Sequence, residues 1–141
     1  MSCNMAVKKD RFKISGGFDT DFHRAGGEDR AFCSNWLDRG YPMIYAPEAA
    51  VVHFHSLTFR TFLEQHFAYG CGAYIYHGKG SHRDGSEGKE PLSFYLNLLK
   101  YPYQFPFTMK QNLFGALFFM SQVAVAAGYF FEKIPARSGK T

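Results

Sequence analysis

Apolar and polar positions change rhythm twice along the chain. Residues 1–78 mix short apolar runs with glycines and well-spaced charges. Residues 79–91 (KGSHRDGSEGKEP) are polar and glycine-rich, the pattern of a loop or linker. Residues 92–134 are aromatic and apolar. Three units follow: 1–78, a linker over 79–91, and a helical segment over 92–141 that packs or associates with a membrane. In the first unit, Phe32, Cys33, Trp36 and Leu37 recur at i, i+1, i+4, i+5, which predicts a helix over 28–39 stopped by Gly40. Phe59, Phe62, Leu63, Phe67 and Tyr74 predict a second helix over 57–77, with Gly70 and Gly72 weakening its middle. Short runs over 4–7, 42–46 and 49–55 read as strands, and Lys9-Asp10 as a turn. These elements together predict an α/β fold.

Composition narrows the class. Apolar types make up 46% of the 141 residues, charged types 20% and aromatics 18%, which excludes a disordered or low-complexity protein. A net charge of +4 suits anionic small molecules or an anionic membrane surface, and lacks the dense basic stripe of a nucleic-acid binder. Cys3, Cys33 and Cys71 form neither a disulfide framework nor a zinc spacing. With no signal peptide at the start (MSCNMAVKKDRF), they predict a reducing, cytoplasmic setting. Residues 113–131 run 19 positions without a charge. As a helix they would reach about 28 Å, close to the hydrocarbon thickness of a bilayer. Tyr95, Tyr101, Tyr103, Phe105 and Phe107 ahead of them resemble an interfacial belt, which places the chain at the cytoplasmic face of a membrane. The alternative is burial of that helix against the first unit or a second copy of the chain.

Three groups of residues could carry chemistry. Gly26-Gly27-Glu28-Asp29 puts two carboxylates at a helix N-terminus, where the macrodipole keeps them ionised. Asp29 shares the inward stripe of Phe32 and Cys33, a costly place for a carboxylate without a partner or a task. The two glycines let a ligand approach the backbone. His53 and His55 would project to one face of a strand, about 6.5–7 Å apart, and could share a metal. Gln65 and Tyr69 share a helix face and could bind a polar ligand, while His66 reads as a packing residue. The terminal Ser-Gly-Lys-Thr is no P-loop, because Ile134 replaces its leading glycine. Asp84-Gly-Ser-Glu lacks the spacing of a calcium loop.

Taken in order, these pieces resemble the C-terminal half of a family 2 glycosyltransferase catalytic domain of the GT-A type. The matching series is Asn-x-Ala, Gly-Gly-Phe-Asp, Glu-Asp at the helix start, Arg-Gly at its end, Tyr-x-Pro-x-Ala-x-Val-x-His, and a helix with Gln and Tyr-Gly-x-Gly. The resemblance covers residues 3–78 and implies a partial GT-A fold. It implies transfer of a sugar, with inversion, from a nucleotide-diphosphate donor to a hydroxyl acceptor that is a saccharide or lipid-linked. By the match Asp29 is the general base and Glu28 assists it, Gly26 and Gly27 line the acceptor side, and Arg60, Gln65 and Tyr69 approach donor or acceptor. His53, or alternatively His55, completes the shell of a divalent metal, Mn or Mg. The nucleotide-binding half with its Asp-x-Asp is missing from this sequence, since Asp19-Thr20-Asp21 belongs to the Gly-Gly-Phe-Asp turn. The isolated chain is therefore expected to turn over weakly or not at all. A partner supplying that half, or a second copy of the chain, is one expectation. Two rival readings are a non-catalytic membrane-associated binding or assembly module and a small histidine-based metal-binding protein.

Overall fold

A computed structural model describes residues 4–54, 56–79, 91–101 and 111–134. His55, residues 80–90 of the polar stretch, residues 102–110 of the aromatic belt, Cys3 and the C-terminal Ser-Gly-Lys-Thr lie outside the described residues. The described chain forms helices α1 (Lys9–Ser15), α2 (Glu28–Asp38), α3 (Phe59–Gly78), α4 (Leu92–Lys100) and α5 (Gln111–Lys133). Among the described residues there is no strand, so the α/β expectation, and with it the partial GT-A fold, is corrected to an all-helical arrangement.

The three stretches read as strands show why. A strand is stable only when a neighbour completes its hydrogen-bond ladder and one face is covered. Over 41–54 the described backbone bonds are local: Tyr41 N–H to the Trp36 carbonyl, and Ala49 N–H to the Ala46 carbonyl, which closes a turn. Ile44, Tyr45, Val52 and Phe54 are each more than 85% exposed, so neither face is covered. Residues 4–7 approach this stretch through a side chain, Asn4 Nδ2 donating to the Ala49 carbonyl at 2.5 Å, and not through a ladder. The β-branched composition is present, and the partner it needs is not among the described residues.

Residues 9–15, expected to begin in a turn, form α1, which Gly16 ends in the left-handed conformation (φ 90°). Its Phe12 joins Phe18, Phe32, Trp36 and Tyr41 in an aromatic cluster with centroid spacings of 4.7–5.9 Å. Phe32, 3% exposed, is the centre of this cluster, so the stripe on α2 does face inward. Asn35 Nδ2 donates to the Ser15 carbonyl at 3.0 Å and ties α1 to α2.

The main packing is between α3 and α5. Helix α3 starts at a reciprocal capping box: the Thr58 hydroxyl accepts from Thr61 N–H, and the Thr61 hydroxyl from Thr58 N–H. The helix runs through Gly70 and Gly72, and both lie against another backbone. A Cβ at Gly70 would overlap the Val125 carbonyl, and one at Gly128 of α5 would overlap the Phe67 carbonyl. Small residues let the two backbones touch, as in membrane-type helix pairs. Cys71, fully buried, donates its thiol to the Gly128 carbonyl at 3.4 Å within this contact.

Candidate functional site

The entry to α2 lies along α3 in register. Arg24 sits over the Phe67 ring at 5.7 Å, Gly26 against Tyr69, Gly27 against the Gly72 carbonyl, and Arg30 over Tyr76 at 4.7 Å. The two segments run in the same direction. Backbone conformation makes this approach available to glycine. Gly26 and Gly27 hold φ of 144° and 92°, and Gly27 is the N-cap of α2.

Glu28 turns back on this loop, its Oε2 accepting from Gly26 N–H at 2.6 Å. That bond satisfies a donor ahead of the helix and fixes the two-glycine turn. It makes Glu28 a positioning group in this geometry. Asp29 is half-buried in the first turn, and its Oδ1 lies 2.8 Å from Arg30 N–H. It lies at the positive end of the α2 dipole. Tyr69 borders the loop with 43% of its surface exposed, a hydroxyl-bearing ring beside the carboxylate-bearing turn.

The structure thus brings Gly26, Gly27, Glu28 and Tyr69 together, with Asp29 one residue further on. Gln65 is half-buried one turn before Tyr69 on α3. His66 packs as expected: Nδ1 donates to the Phe62 carbonyl at 2.8 Å and the ring lies tilted against Phe62 with centroids 4.2 Å apart. Arg60 is not aimed at this loop. It is largely exposed and pairs with Glu64 on its own helix at 2.8 Å. His53 sits on the exposed stretch 41–54, and His55 is outside the described residues. Among the described residues no group of three His, Cys, Asp or Glu side chains could hold a metal ion, so the chain's described side chains do not by themselves fit the cation that the resemblance implies.

Two features were not anticipated from the sequence. Lys79, at the C-cap of α3, reaches both Asp19 (a short contact) and Asp21 (2.5 Å) of the Gly-Gly-Phe-Asp turn. The Lys79 hydrogen bond holds the Asp19 carboxyl below its ordinary value, and the same bond raises Lys79. This clamp fixes the turn that precedes the glycine loop. Next, His23 Nε2 lies 3.5 Å from Glu132 near the end of α5, so the loop is tied to both long helices. Neither pairing has a local signal, because each joins residues far apart in sequence.

Comparison of the chain with protein-family models, with curated proteins and with solved structures gave no match.

Proposed function

We propose that the chain takes part in transfer of a sugar from a nucleotide-diphosphate donor to a hydroxyl acceptor, with Asp29 as the general base. The observation that carries this reading is the seat of Asp29: a half-buried carboxylate in the first turn of α2, behind two positive-φ glycines and a loop bordered by Tyr69. In the reaction the acceptor oxygen forms a bond to the anomeric carbon as the bond to the diphosphate breaks. Asp29 takes the hydroxyl proton, and the nucleoside diphosphate leaves with the bonding electrons. Attack from the side opposite the leaving group inverts the centre. A positioned base of this kind accelerates a reaction by about 10²–10⁴-fold. Glu28 holds the loop through Gly26, and Tyr69 is placed to orient the acceptor.

The test is transfer from radiolabelled nucleotide-diphosphate sugars to the hydroxyl groups of saccharide and lipid-linked saccharide acceptors by the full chain. Slow, acceptor-dependent transfer that Asp29→Asn removes is the expected result. Transfer that Asp29→Asn leaves intact overturns the reading. A second reading, a non-catalytic lipid-associated module, is favoured by one observation. Residues Asn112–Lys133 are long and apolar enough to cross a membrane, and only 17% of their most apolar window is buried.

A further inference from the structure

We propose that the groove between α3 and α5 takes the hydrocarbon chain of an anionic membrane lipid, with Arg24 holding its phosphate. The cavity has a volume of about 610 Å³, within the range of roughly 300–1,000 Å³ usual for small-molecule sites. Its walls are apolar: Leu63 and Phe67 from α3, and Val123, Ala124 and Ala127 from α5. Ala124 and Ala127 place only methyl groups in the α5 wall.

Charge selects the head group. The Arg24 guanidinium is exposed at the rim, held over the Phe67 ring. Glu64 also lines the groove, but Arg60 pairs with it at 2.8 Å, and Glu132 faces His23 at 3.5 Å. Arg24 itself makes no ion pair within 4 Å among the described residues. A phosphate at that point gains a charge-assisted, fork-shaped contact. Around the groove, Phe119 and Val123 are more than half exposed, continuous with the charge-free outer face of α5. A lipid can therefore enter sideways from a bilayer without crossing a polar rim.

The position of Arg24 gives the lipid a role. It lies two residues before Gly26 and five before Asp29, on the loop between α1 and α2. A lipid phosphate held on Arg24 lies on the loop that leads into the proposed base, which points to a lipid-linked acceptor. That role rests on the sugar-transfer reading, whereas the binding does not.

Titration calorimetry of the full chain with decyl phosphate, below its micelle concentration and without any sugar donor, tests the binding. Saturable one-to-one binding is expected. Ala124→Phe, which fills the groove, should weaken it by about tenfold or more, and Ala127→Phe should do the same. Arg24→Gln should weaken decyl phosphate by about fivefold yet leave decyl maltoside nearly unchanged. Far-UV circular dichroism checks that each variant keeps its helices, and Arg24→Gln, on an exposed side chain, keeps the test alive should a groove variant unfold. Absence of saturable binding, or equal binding by parent and folded variants, overturns the proposal. So does a dimer that Ala124→Phe dissociates while decyl phosphate binding is unchanged, since the groove would then hold a second copy. Transfer to saccharides without decyl phosphate binding would sink the lipid and spare the chemistry.

Discussion

Gly72 of α3 lies so close to the Gly26 carbonyl that a Cβ on Gly72 would overlap it. This one contact sets the height of the α2 entry loop above α3, and with it the place of Asp29. Gly72→Ala must push the loop away or bend the helix. We expect a loss of about 1–3 kcal/mol in urea unfolding, the usual cost of overpacking. Gly78, on the same helix with open space around its Cβ position, is the control. Gly78→Ala should raise stability by up to about 1 kcal/mol. Equal effects at both positions would contradict the contact.

Gly70 and Gly128 are the two points where α3 and α5 meet backbone to backbone. Alanine at either should part the helices and cost about 1–3 kcal/mol, read as a lower thermal midpoint. The double variant should cost less than the sum of the singles, because one separation relieves both contacts.

Cys71 reports on that same seam. Burial pushes its thiol up, and nearby Glu132 adds to the effect. A raised, fully buried thiol reacts slowly. Peptide mapping after exposure to a thiol reagent near pH 8 should show Cys33, which is only half-buried, modified well before Cys71. Gly128→Ala should speed modification of Cys71 by opening the seam.

The Lys79 clamp predicts a pH dependence with a definite sign. Asp19 is depressed in the folded chain, so its contribution is present above the ordinary carboxylate value and fades as pH falls through the lowered one. Lys79 is raised, so its contribution is present below the ordinary lysine value and is lost as pH climbs through the raised one. Both partners are a third or more exposed, which limits the pair to about 1 kcal/mol or less. Lys79→Met should be slightly less stable than the parent at neutral pH. The two should converge in strong acid and in strong alkali when followed by circular dichroism.

Substituting the two carboxylates should separate their tasks. Asp29→Asn keeps the shape of the side chain and removes the base, so transfer should drop by about 10²–10⁴-fold with helicity intact. Glu28→Gln keeps an oxygen for Gly26 N–H and should lose far less. Glu28→Ala frees the loop and should lower both transfer and stability. Initial rates and thermal midpoints measured on the same preparations distinguish these outcomes.

Helix α2 was legible because its signals are local: two glycines, Glu-Asp in the first turn, and an inward stripe that ends at Phe32 in the aromatic cluster. Helix α3 was legible in extent, although its true start is the Thr58–Thr61 capping box. The role of Gly70 and Gly72 was not legible. Propensity counts what a glycine costs its own helix, and these two are explained by what another backbone needs. Helix α1 was missed because a seven-residue segment carries one apolar anchor, Phe12, and shows its partner only once α2 is in place. The stretches over 4–7, 42–46 and 49–55 misled because β-branched composition measures suitability for a ladder and says nothing of whether one is present. Around Asp29, the glycines and carboxylates could be chosen from spacing. The tether of Arg24 to Phe67 and the clamp of Lys79 on Asp19 and Asp21 join residues more than 40 positions apart, beyond the reach of any local pattern.

The bare stretch 41–54 has a practical consequence at the bench. Ile44, Tyr45, Val52 and Phe54 stand in solvent on an extended stretch that joins no ladder among the described residues, interrupted by Pro42 and Pro47. Such a surface recruits its own kind as concentration rises, and the prolines slow this without preventing it. Overexpressed material should gather in inclusion bodies, and a single lysine in place of Val52 should return much of it to the soluble fraction.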